Sequence, residues 1–173
     1  DATLSRMCGI DRRVDELTFA ELRQLCLANT QEQIPSFQEA LALVNGKVPL
    51  LVELKMERLD FDIPRKADAL LSEYSGDYCI ESFHPAALCW YRKNRPQIFR
   101  GQLSTNFNIE NHSLSPFQYL FGKMILNFIS RPDFISYNLL FQGDISLKLA
   151  HGLFHAPCAA WVLRSEKELE QCQ

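Results

Sequence analysis

The chain has 173 residues, 47% of them apolar and 23% charged, with a net charge of −3. That length holds one domain with a real core. The composition excludes a disordered chain, and the charge excludes the broad basic field of a nucleic-acid binder. Lysines and arginines are dispersed in short pairs, Arg12-Arg13, Arg65-Lys66 and Arg92-Lys93, as solvated helix faces place them. Six cysteines, at 8, 26, 79, 89, 158 and 172, form no C-x-x-C pair. A zinc knuckle or redox dithiol is therefore not expected, and reduced thiols packed as small hydrophobes are. No signal peptide follows Asp1, so a cytoplasmic chain is expected.

In chain order, helical patterns alternate with short apolar strands. Thr18-x-x-Glu21 is a capping box that opens a helix through Leu22, Leu25 and Leu27. Ser36-x-x-Glu39 is a second, and Asn45-Gly46 stops that helix. A strand is predicted over 48–55, then a helix over 65–74 with Leu70, Leu71 and Tyr74 on its apolar side and Gly76 as its stop. A second strand covers 78–83. Pro85 suits the first turn of a helix running to about Asn94, before Pro96. A third strand covers 98–103.

Residues 107–131 are less regular. Their central helix carries Phe117, Tyr119, Leu120, Phe121, Met124, Ile125 and Phe128 and is apolar on most sides, so burial is expected. A second reading makes it a lipid-facing or partner-facing lid, with membrane contact through 116–129. Gln118, Gly122, Lys123 and Asn127 interrupt that stretch, which is too short and too polar to span a bilayer. A fourth strand covers 134–137, a helix 144–153 and a fifth strand 158–163, and Ser165-x-x-Glu168 caps a last helix.

Strands separated by helices imply parallel βαβ units, in an open doubly wound sheet or a closed barrel. No Gly-rich phosphate loop follows any strand, which removes the main support for a dinucleotide fold. The chemistry of the first strand favours the barrel. Val48, Leu50, Val52 and Leu54 share one face, and Leu51, Glu53 and Lys55 the other, because side chains alternate with period two. The first face is uniformly aliphatic, as under helices. The second turns polar only at its carboxyl end, where barrel enzymes place their chemistry. A carboxylate there needs a cation. Lys55 is one candidate and a hard divalent ion such as Ca²⁺ or Mg²⁺ another. The plain alternative is an ion pair at a strand end.

Other candidates are weaker. His84 precedes Pro85 and reads as a helix entrance. His151 and His155 are four apart, but no H-E-x-x-H glutamate lies between them, Gly152 weakens the helix and Pro157 follows. Glu81 and Ser82 end the second strand, and one of the two points inward. Phe83 serves equally as a substrate-shaping or a packing residue.

Several segments together resemble the glycerophosphodiester phosphodiesterase family. Asp1-Ala-Thr-Leu-Ser-Arg6 resembles the tail of its His-Asp-x-x-Leu-x-Arg motif, and Leu17-Thr18 with Glu21-Leu22 the helix that follows. Ile34-Pro-Ser-Phe-Gln-Glu-Ala-Leu41 is similar to its "IPtlEEaL" segment, Leu51-Val-Glu-Leu-Lys55 to its "iEiK" strand, and Glu81-Ser-Phe-His-Pro85 to its "SFdp" turn. Arg100-Gly-Gln-Leu103 and Ala160-Trp161 resemble its later strands.

The resemblance implies an incomplete (β/α)₈ TIM barrel, roughly strands 3 to 7 of eight, in a single domain. It implies hydrolysis of a glycerophosphodiester to an alcohol and glycerol 3-phosphate, and the lid reading would suit a lysophospholipid-type substrate. Glu53 maps to a metal ligand for Ca²⁺ or Mg²⁺, Lys55 to a basic residue near the phosphate, and Trp161 to an aromatic against the glycerol. The family's histidine pair and its Glu-x-Asp metal pair fall before residue 1, so no catalytic histidine is expected within these residues and the chain by itself is expected to be inactive. A barrel open on both sides leaves two strand edges, so aggregation or pairing with another chain is expected. The alternative is a non-catalytic, barrel-derived binding or interaction module.

Overall fold

The computed structural model describes residues 2–105, 127–141 and 157–170. Most of the irregular 107–131 stretch with its expected central helix, and the expected helix over 144–153 with the His151/His155 pair, lie outside the described residues. The chain divides into two compact units, Asp1–Val48 with Ala69–Gly76, and Pro49–Asp68 with Asp77–Gln173.

The first unit holds three short helices, α1 (Ser5–Cys8), α2 (Phe19–Leu22) and α3 (Phe37–Val44), and buries Leu4, Leu41 and Leu71. Both expected capping boxes form. Thr18 Oγ1 accepts from the Glu21 backbone N–H while Glu21 accepts from the Thr18 N–H, and Ser36 and Glu39 do the same. α2 is shorter than expected, because the chain reverses before Leu27 can continue it. Ala28 and Asn29 take positive φ of 48° and 60°, and the Leu27 N–H pairs with Glu32 C=O. α3 stops at Asn45, whose φ is 47°. The following Gly46 N–H donates to the Tyr74 hydroxyl at 2.9 Å.

The second unit holds a five-stranded sheet made of β1 (Leu50–Glu53), β2 (Tyr78–Ser82), β3 (Arg100–Ser104), β4 (Phe134–Asn138) and β5 (Cys158–Trp161). Every neighbouring pair is parallel and the spatial order is the sequence order. A doubly wound sheet reverses its strand order at a switch point. This sheet never does, and an unbroken order of parallel strands is that of a barrel. Helices α4 (Asp62–Leu71), α5 (Pro85–Asn94), α6 (Asn127–Ser130) and α7 (Glu166–Glu170) lie between or after the strands. α4 begins three residues earlier than the sequence suggested. Asp60 Oδ1 accepts the Asp62 N–H, and Pro64 sits in the first turn, where its missing N–H costs nothing.

The sheet's helix-facing side carries Leu54, Ile80, Ser82, Gln102, Ile135 and Tyr137, all buried. α5 presents Ala87, Leu88 and Tyr91, each fully buried, and packs against β2 and β3. Side chains such as Leu88 each contribute about 1.5–3 kcal/mol by leaving water. α5 is set at one end by Pro85 in its first turn and by His84, whose Nδ1 accepts the Ala86 N–H at 3.2 Å. At the other end Arg95 makes two contacts to the buried Asp68, at 3.0 and 2.8 Å.

The sheet is curled. Phe83, just past β2, and Trp161, at the end of β5, meet edge to face with ring centroids 5.8 Å apart. Three inter-strand spacings of roughly 4.8 Å would keep them far apart on a flat sheet. These five strands thus make a half-barrel whose concave face carries Glu53, Glu81, Gly101, Ser136 and Trp161, as the strand register dictates. Gly101 is required by close approach. A Cβ there would lie 2.2 Å from the Phe134 ring, which folds over β3 at that point.

Candidate active site

The concave face turns polar at the carboxyl ends of its strands. β1 alternates as expected, with Leu50 and Val52 half-buried and Leu51 and Glu53 open. Glu53 Oε1 lies 2.8 Å from Lys55 Nζ, with the side chains 31% and 51% exposed. The two residues therefore share a face and touch. An ion pair this open contributes at most about 1 kcal/mol, so its stability value does not account for the placement.

Glu81 is the register partner of Glu53 on the adjacent strand. The backbone settles which of the two β2-terminal residues faces inward. Glu81 faces the concave side with Glu53, and Ser82 faces the helices. Ser82 is fully buried, and its hydroxyl donates to Leu54 C=O at 2.6 Å while accepting the His84 N–H at 3.1 Å. Ser82 thereby ties the end of β1 to the turn that opens α5. Glu81 is 8% exposed. The Ser136 hydroxyl is near enough to favour its charged form, yet Oε2 has no hydrogen-bond partner. Burial first, and the Glu53 charge after it, push the Glu81 carboxyl above the usual range, against the lowering effects of Ser136 and Lys55.

The aromatic end of the site is held by backbone carbonyls. Trp161 Nε1 donates to Ser136 C=O at 3.1 Å, which fixes the indole across β4 and β5. The Gln102 amide donates to the carbonyls of Ser82, Phe83 and Leu103 at 3.0, 3.0 and 2.9 Å, clamping the turn that carries Phe83. The structure thus brings Glu53 against Lys55 and Phe83 against Trp161. Sequence reasoning missed Ser136 and left Glu81 unassigned. Ser136 carried no local signal, and Glu81 was one of two undecided residues.

His84 serves as a cap through Nδ1, and burial pushes its imidazole below the usual range. Among the described residues no group of three or more His, Cys, Asp or Glu side chains gathers as a metal site. The fit to a divalent cation rests instead on two neighbouring carboxylates, one with an orphaned buried oxygen. Hard oxygen donors of this kind are what Ca²⁺ and Mg²⁺ take. Cys8, Cys26, Cys79 and Cys89 are in no disulfide. No helix among the described residues is long and apolar enough to cross a membrane.

Neither a family model nor a curated protein matches the sequence. Solved structures do. An Oleispira antarctica phosphodiesterase, in complex with the product sn-glycerol-3-phosphate, is similar with a TM-score of 0.76 at 20% identity, over 99% of this chain and 69% of that one. A Parabacteroides distasonis glycerophosphodiester phosphodiesterase gives 0.67 at 18% identity, over 92% and 64%. One from Thermotoga maritima gives 0.62 at 17%, over 99% and 68%. The chain thus spans about two thirds of the length of these structures. Over that length it has the barrel fold of the glycerophosphodiester phosphodiesterases.

Proposed function

We propose that this chain supplies the cation- and phosphate-binding flank of a metal-dependent phosphoric diester hydrolase, which converts a glycerophosphodiester and water to an alcohol and glycerol 3-phosphate. The observation that carries the reading is the placement of Glu53 and Lys55 together at the carboxyl end of β1, on the concave face of a parallel half-barrel. The complex of a structural neighbour with sn-glycerol-3-phosphate supports the substrate class.

In this reading Glu53 holds a divalent cation, Ca²⁺ or Mg²⁺. When bound, that cation neutralises charge growing on the phosphate oxygens. Lys55, released from Glu53 as the phosphate enters, donates to a phosphate oxygen and stabilises the same charge. Trp161 and Phe83 form a half-buried aromatic wall against the glycerol carbons. The Ser136 carbonyl fixes the indole, so little freedom is lost on binding.

Proton transfer needs an acid and a base near neutral pH. His84 is the one histidine among the described residues, and its Nδ1 is committed to capping α5. We propose that the chain on its own is inactive. Incubating it with glycerophosphocholine and Mg²⁺ or Ca²⁺ tests this: no glycerol 3-phosphate is expected, and catalytic release contradicts the inactivity. A second reading, a non-catalytic barrel-derived binding module, is favoured by the closed Glu53–Lys55 pair. Titration with glycerol 3-phosphate separates the two: the module reading predicts no dependence of its affinity on Mg²⁺ or Ca²⁺.

A further inference from the structure

Glu81 is a carboxylate that the described residues leave half-satisfied. It lies beside Glu53 in register on neighbouring parallel strands, whose backbones run roughly 4.8 Å apart. It is 8% exposed, and its Oε2 has no hydrogen-bond partner. The near ammonium, Lys55 Nζ, stands 2.8 Å from Glu53 Oε1. The Ser136 hydroxyl favours the charged form of Glu81 by hydrogen bonding. Gly101, the next residue across the sheet, offers no side-chain donor, and the Phe134 ring that folds over it is apolar. Two carboxylates side by side repel each other, and a buried one with a free lone pair is costly unless a cation joins them. Ca²⁺ takes six to eight oxygens at roughly 2.3–2.6 Å, so carboxylates on adjacent strands are within the span of one ion.

We infer that Glu81 is a second carboxylate ligand of the cation that Glu53 would hold, the two side chains acting together across the β1–β2 pair. The inference rests on the reading of Glu53 as a metal ligand. Ser136 then acts as a positioning residue, orienting Glu81 so that Oε2 is left for the ion.

The test is calorimetric titration of Ca²⁺, and separately Mg²⁺, into the wild-type chain and into Glu53→Gln, Glu81→Gln and Glu81→Asp, with a thermal melt of each. Glu81→Gln is expected to weaken Ca²⁺ binding by about tenfold or more and to abolish the rise in melting temperature that Ca²⁺ gives the wild type. In the absence of the ion it should melt no lower than wild type, because a buried charge has been removed. Glu81→Asp, which keeps the carboxylate, should recover part of the affinity. Loss of binding in Glu53→Gln with wild-type affinity in Glu81→Gln overturns the inference and leaves the hydrolase reading standing. Equal affinities for Glu81→Gln and Glu81→Asp also overturn it, because a ligand role requires the carboxylate. A wild-type chain that binds neither ion overturns both.

Discussion

Replacing Lys55 with Met separates a phosphate-binding lysine from one that merely neutralises Glu53. Methionine keeps the length of the stem and removes the charge. Lys55 is 51% exposed and its partner 31%, with 2.8 Å between the charged atoms. Solvent screens such a pair to about 1 kcal/mol or less, so the melting temperature should move by no more than about 4 °C. A charge-assisted hydrogen bond to a phosphate is worth about 1.5–3 kcal/mol. Its loss weakens binding by about 10- to 140-fold. Calorimetric titration of sn-glycerol 3-phosphate into both proteins in Mg²⁺, beside their melts, reads the two effects separately. Large loss of affinity with a nearly unchanged melt is expected. Affinity within about twofold of wild type would refute a phosphate contact, and a large drop in melting temperature with intact binding would make the lysine structural.

Four further outcomes are expected. Trp161→Phe keeps the contact with Phe83 but removes the donor to Ser136 C=O; it should cost about 1 kcal/mol in denaturant unfolding, while Trp161→Ala should weaken glycerol 3-phosphate binding further than Trp161→Phe. Asp68→Asn turns a doubly bonded, buried carboxylate into an amide facing a guanidinium that is 40% exposed, and urea unfolding should show a loss of about 1–3 kcal/mol. Leu88→Ala, at a fully buried position on α5, should cost about 2–5 kcal/mol by the same assay. Glu81 gives a pH signature. Its carboxyl lies above the ordinary range chiefly through burial, so the folded chain binds its proton more tightly than the unfolded chain does. The stability this contributes is fully present below the unfolded Glu value of about 4.3 and is lost as pH rises through the folded one. Cation-free Glu81→Gln should lose that slope in melts taken across this window, and an unchanged slope would rule out Glu81 as its source.

Much of this fold was legible because its signals are local. The boxes at Thr18/Glu21 and Ser36/Glu39 need only a spacing of three, and both form. The faces of β1 follow from alternation, which put Glu53 and Lys55 together before any neighbour was known. Five strands with helices between them left two architectures open. Only the unbroken spatial order β1 to β5 decides for the barrel, and that order is a long-range property of the chain.

What stayed hidden depends on register or on distance along the chain. Glu81 and Ser82 are adjacent, so a strand end uncertain by one residue exchanges their faces. The pairing of Glu53 with Glu81 resolves it. Asp68 and Arg95 are 27 residues apart and join through the packing of α4 and α5. Ser136 sits in an unremarkable apolar strand, and its importance arises only where the Trp161 indole and the Glu81 carboxylate converge on it. Trp161 was reached by resemblance alone. Its contact with Phe83 depends on a curl in the sheet that no strand encodes by itself.

On the proposed reading, the carboxyl end of β1 binds a cation and a phosphate on the concave face. Crystals of the chain grown with Mn²⁺ and sn-glycerol 3-phosphate, measured at the manganese edge, test it directly. An anomalous peak is expected at the Glu53 carboxylate, with the phosphate beside Lys55 and the glycerol against Trp161. A metal bound elsewhere, or phosphate density with Glu53 and Lys55 still closed on each other, would contradict it.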